Sequence, residues 1–200
     1  MSKVTVRPDP FTLIAYDAGE IAALIEDAAA LVDFPSDVDI DLDVDEELFA
    51  PLTGHLSDVV DGRVKLWISG GNLEDNKLPR TFAAHQARVD FVIMLLRAKD
   101  RLSDDFAAAP PDGSLSRGER AAWDVYAVGR ALRLGLPMRR QKQLYDFRLQ
   151  HGFTDVADAA FERLWESEHT TWNGIREICK ETGAVDRDDS KIPVDLLRQK

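Results

Sequence analysis

The chain has 200 residues, 44% of them hydrophobic and 30% charged, which suffices to bury a core and is unlike the apolar-poor usage of a disordered segment. No apolar run approaches the roughly 20 residues needed to cross a bilayer, and no apolar signal core follows Met1-Ser2-Lys3-Val4-Thr5-Val6-Arg7-Pro8, so neither membrane insertion nor export is expected. The net charge of −11 is concentrated in residues 1–60, where fourteen acids face only Lys3 and Arg7, a balance that repels nucleic acid and anionic lipid.

Asp17-Ala18-Gly19-Glu20 has the form of a capping box and opens a helix whose apolar positions, from Ile21 to Val32, recur at helical spacing until Phe34-Pro35 stops it. From Asp37 to Asp45 acids alternate strictly with Val38, Ile40, Leu42 and Val44, the period of a strand with one buried and one acidic face. Residues 46–60 read as a short helix or an irregular connection. Arg63 to Ser69 repeats the strand signal and Gly70-Gly71 breaks it. Pro79 suits a first helical position, and the helix it opens runs to about Leu102. On it Phe82, His85, Val89, Val92 and Leu96 share one face, and Gln86, Asp90, Arg97 and Arg101 another.

Pro110-Pro111-Asp112-Gly113 marks a linker, and Ser116-Arg117-Gly118-Glu119 is a second capping box, opening a helix that ends near Leu134-Gly135-Leu136-Pro137. One helix then reaches His151-Gly152, and a longer one runs from Thr154 or Asp155 to Thr182-Gly183. The expected fold class is α+β and predominantly helical, with a small sheet packed on a long central helix and a helical C-terminal region. The expected organisation is an α/β domain over 1–106, a linker over 107–115, a helical region packed on that domain over 116–183, and a polar tail over 184–200 in which a last turn can follow Pro193.

Few residues carry chemistry. His85 is a candidate catalytic or metal-binding residue, although its apolar neighbours Val89 and Val92 also fit a core-facing histidine with both ring nitrogens hydrogen-bonded. Asp39, Asp41 and Asp43 project from one side of their strand roughly 7 Å apart, a row and not a cage, which suits a solvated face or a contact with a basic partner better than a cation. Arg130, Arg133, Arg139, Arg140 and Lys142 form a stripe free of acids, with Arg139 and Arg140 placed as in a recognition helix but in a chain that lacks a basic footprint. Glu162, Glu166 and His169 share a helix face; Glu166 and His169 have a di-iron spacing but no second Glu-x-x-His to complete it. The aromatic residues from Trp123 to Trp172, Tyr145 and Phe153 among them, read as core. Cys179, the single cysteine, reads as inert and compatible with a reducing cytoplasm.

The order of helix, acid-ended strand, strand, glycine turn and long helix with an early histidine resembles the small zincin metallopeptidases, whose helix bears HExxH. The matching stretch here is His85-Gln86-Ala87-Arg88-Val89, and the resemblance covers about residues 15–103. The first histidine is kept, while Gln86 stands for the general-base glutamate and Val89 for the second histidine. An amide cannot take a proton from water and valine cannot bind zinc. The resemblance therefore implies a zincin-like fold that has lost its chemistry, acting in binding or regulation with a protein partner, without metal or cofactor. Two rivals remain: a hydrolase using His85 with Glu74 or Asp75, and a nucleic-acid-binding regulator using Arg139 and Arg140.

Overall fold

The structure, a computed structural model, describes residues 2–48, 55–75, 78 and 81–184. The chain forms two compact units that divide after Leu102. Pro79 and the tail from residue 185 onward, with Pro193, lie outside the described residues.

The first unit contains β1 (Val4–Arg7), α1 (Ala18–Leu31), β2 (Ile40–Asp45), β3 (His55–Val60), β4 (Arg63–Ser69), a 3-10 turn at Gly70–Leu73 and α2 (Ala84–Arg101). The strands form one sheet in the order β1-β2-β4-β3, in which β1, β2 and β4 are parallel and β3 runs antiparallel along the edge. The alternation in β2 sends Ile40, Leu42 and Val44 to one face, in register with Val64, Leu66 and Ile68 of β4, and all six are buried. Helices α1 and α2 pack on each other, α1 against β1 and α2 against β3. Each large aliphatic side chain buried this way contributes about 1.5 to 3 kcal/mol. Ser57 Oγ donates to the Met94 carbonyl at 2.9 Å and Lys99 Nζ to that of Val32 at 2.8 Å, fixing α2 to β3 and to the end of α1.

Helix α1 starts where its cap predicts, with Asp17 Oδ1 accepting from Glu20 N at 2.7 Å. The stretch expected to be helical or irregular before residue 60 instead holds β3. It pairs with β4 across Asp61-Gly62, whose φ values of 52° and 74° suit a tight hairpin turn. Strand β1 is a further element that the sequence reading did not contain. Helix α2 begins five residues after Pro79, because residues 81–83 are held to the glycine turn: Glu74 bridges Phe82, and Ala83 N donates to the Leu73 carbonyl at 2.8 Å.

The second unit is helical: α3 (Arg117–Arg133), α4 (Arg140–His151), α5 (Asp155–Glu166) and α6 (Trp172–Thr182). The Ser116–Glu119 capping box is present in full, and α3 packs on each of the other three. A Cβ on Gly129 would lie 2.3 Å from the Trp165 carbonyl oxygen, so α3 and α5 approach at a distance only glycine permits. The long helix expected from 154 to 183 is two helices, because Thr171 caps a new start by accepting from Gly174 N at 3.1 Å. The 107–115 segment read as a linker belongs to this unit, with Asp112 and Leu115 buried, and Phe106 just before it stacks on Trp123 at 4.7 Å. Core aromatic residues include Trp123, Phe147, Phe161, Trp165 and Trp172, whereas Tyr145 and Phe153, expected in the core, are exposed.

Candidate functional site

The entry to α2 brings together the residues of the degenerate motif. His85 lies in the first turn and is exposed, not core-facing as its helical phase suggested, because the apolar stripe begins only at Ala87. Gln86 is also exposed, and its Nε2 donates to Asp90 Oδ1 at 3.3 Å. Val89, which the zincin resemblance sets against a second histidine, is 7% exposed. Burial pushes the Asp90 carboxyl up to about 7, against the hydrogen bond from Gln86. Beside the glycine turn Tyr16 donates its hydroxyl to the Gly70 carbonyl at 3.1 Å, and burial, with the nearby charge of Glu74, pushes its phenol up to about 12. Asp75 is engaged in its own turn, accepting from Leu78 N at 3.3 Å. Among the described residues no group of three His, Cys, Asp or Glu side chains is disposed to hold a metal.

The acidic row is not the open solvated face that alternation alone predicts. Asp41 is 2% exposed and pairs with both Lys65 and Arg63, Arg63 also pairs with Asp39 at 3.3 Å, and Arg7 pairs with Asp43 at 3.5 Å. Parallel pairing sets Asp41 opposite Lys65 on β4, so cations of neighbouring strands alternate with the acids across the face. Burial raises the Asp41 carboxyl, but hydrogen bonds from Lys65 and Arg63 and their charges outweigh it and hold the group below its usual range. At the C-terminal ends of β1 and β2 lies an open depression of about 580 Å³ lined by Thr5, Val6, Arg7, Pro8, Asp9, Asp43 and Val44.

The basic stripe is largely engaged within its own unit. The Arg130 guanidinium stacks 3.8 Å from the Tyr126 ring, and Arg133 donates to the Trp165 and Ser167 carbonyls at 2.7 and 2.5 Å. Arg140 pairs with Glu162 and Lys142 with Asp146, while Arg139 is exposed at the start of α4. Glu162 therefore points to Arg140, while Glu166 ends α5 and His169 lies in the connection to α6, 3.8 Å from Asp105. Cys179 is buried, which pushes its thiol up to about 12.

His151, read from sequence only as a helix end, is a buried polar centre of the helical unit. Its ring stacks on Phe147 at 3.9 Å, with Nε2 at 3.0 Å from the Gly118 carbonyl and Nδ1 at 2.7 Å from Thr182 Oγ1. A carbonyl only accepts, so Nε2 carries a proton and joins α4 to α3. The chain matches no family model, no curated protein and no solved structure.

Proposed function

We propose that the chain joins a zincin-like domain without metallopeptidase chemistry to a helical unit, and that it acts by binding a protein partner. The observation that carries this reading is the packing of the motif on α2. Val89 is a core side chain where a second zinc ligand would stand, and Gln86 directs its amide to Asp90 instead of offering a base to water. The layout of α1, β2, β4, the glycine turn and α2 supports the zincin-like part, and the internal pairing of four stripe cations favours a protein partner over nucleic acid.

The test is elemental analysis of the 200-residue chain purified without chelator, combined with a peptide-hydrolysis assay in added zinc. Less than about 0.1 zinc per chain and no hydrolysis above that of the His85→Ala variant are expected. One zinc per chain that disappears with His85→Ala, accompanied by turnover, would overturn the reading.

A further inference from the structure

Helix α4 carries two apolar faces. One, with Phe147, lies in the core beside α5. The other faces solvent: Tyr145 is 55% and Leu149 48% exposed, and they stand four residues apart on one stripe. After Gly152, at φ 95°, the chain turns back so that Phe153, 61% exposed, meets the Tyr145 ring edge-on at 5.9 Å. Val156, 47% exposed, extends the surface onto α5. A helix needs one apolar stripe to join its own core, and contiguous exposed aromatic and aliphatic groups mark a contact surface.

The charges around this surface identify what covers it. Helix α4 begins at Arg139 with no side-chain cap and no acid in its first turn, so the positive end of its dipole carries additional positive charge. At the other end of the stripe, Asp155 opens α5. Arg139 and Asp155 are both exposed, and neither has an ion-pair partner among the described residues. The pairs Arg140–Glu162 and Arg148–Asp158 set α4 and α5 antiparallel, with the basic end and the Phe153–Asp155 corner at opposite ends of the surface. A two-fold axis through the Tyr145–Leu149 stripe would reverse α4 and set the basic end of one copy on the Asp155 corner of the other, with the apolar stripes between them.

We infer that the α4–α5 face binds a second copy of this chain, forming a two-fold dimer in which Tyr145 and Leu149 meet at the centre, Phe153 packs at the flank against the other copy and Arg139 meets Asp155 of that copy. The inference names a partner for the binding reading. It is measured by association and not by zinc, so either can fail without the other.

The experiment is sedimentation equilibrium of the 200-residue chain with four point variants and a chain lacking residues 185–200. The wild type is expected to show a reversible monomer–dimer equilibrium, and Phe153→Ser to weaken it by about tenfold or more with an unchanged circular-dichroism melt of the monomer. Arg139→Asp and Asp155→Arg should each weaken association about three- to tenfold, and the double reversal Arg139→Asp/Asp155→Arg should restore it to within about threefold, since a two-fold contact regains both pairs in one chain. A wild type that stays monomeric to about 1 mM overturns the inference. So does a double reversal that binds no better than the single changes. A monomer that begins to dimerise only when residues 185–200 are removed also overturns it, because the face would then belong to the chain's own apolar tail residues Ile192, Val194, Leu196 and Leu197.

Discussion

Asp41 is buried and Asp90 half-buried, and their surroundings drive the two carboxyls in opposite directions. Two cations outweigh burial at Asp41, and its folded value lies below the usual one of about 3.9. Its contribution to stability is therefore complete above that value and is lost as the pH falls through the depressed one. Asp41→Asn is expected to cost about 1 to 3 kcal/mol at pH 7, read as a lower urea midpoint, with the difference shrinking on acidification. At Asp90 a single amide does not offset burial, and the folded state holds its proton up to about pH 7. Stability should therefore fall as the pH rises from about 4 to about 7, by on the order of 2 to 4 kcal/mol. Asp90→Asn should abolish that fall and leave the variant more stable than wild type at pH 8; equal denaturation curves at pH 8 would contradict the assignment. Alternation on β2 made the acids visible in the sequence, but their cations belong to β1 and β4 and became legible only through the pairing order.

At the scale of the element, local signals located most helices and one of their faces. The caps at Asp17 and Ser116 set α1 and α3, and the apolar run from Phe91 to Leu96 is buried as its all-round hydrophobicity required. Val92→Asp should accordingly cost several kcal/mol, a large share of a typical domain's roughly 5 to 15, while Gln86→Ala costs about 0.5 kcal/mol or less, compared by urea midpoints. His85 was assigned to the wrong face because helical phase was extended back through Phe82, which belongs to a bridge and not to α2. Strand β3 does have a sequence signal, the hairpin dipeptide Asp61-Gly62 ahead of the β4 alternation. The contact of α3 with α5 had none, since Gly129 reads as an ordinary helix interruption. Gly129→Ala gains about 1 kcal/mol of helix propensity but places a methyl on the Trp165 carbonyl, so a net loss of about 1 to 3 kcal/mol is expected from thermal melts.

For the whole molecule, the sequence shows a strongly acidic start and a basic stripe, opposite charges that are drawn to each other or to partners. Within the first unit the acids pair with Arg7, Arg63 and Lys65, and within the second the stripe cations other than Arg139 engage Glu162, Asp146, the Tyr126 ring and backbone carbonyls. Replacing Arg139 and Arg140 together by glutamate should lower stability by about 1 kcal/mol or less, chiefly through loss of the exposed Arg140–Glu162 pair, with little change between low and high salt. A large, salt-erased loss of melting temperature would mean that longer-range attraction holds the fold.

Cys179 gives the protein a built-in clock for local opening. It is the single thiol, it sits on the inner side of α6, and burial keeps it protonated, so an alkylating reagent reacts only during moments when that helix is displaced. Followed at increasing denaturant, the labelling rate separates two ways of coming apart: a rate nearly independent of denaturant reports α6 fraying alone, and a rate that climbs with the slope of global unfolding reports that the last helix leaves only when the helical unit does.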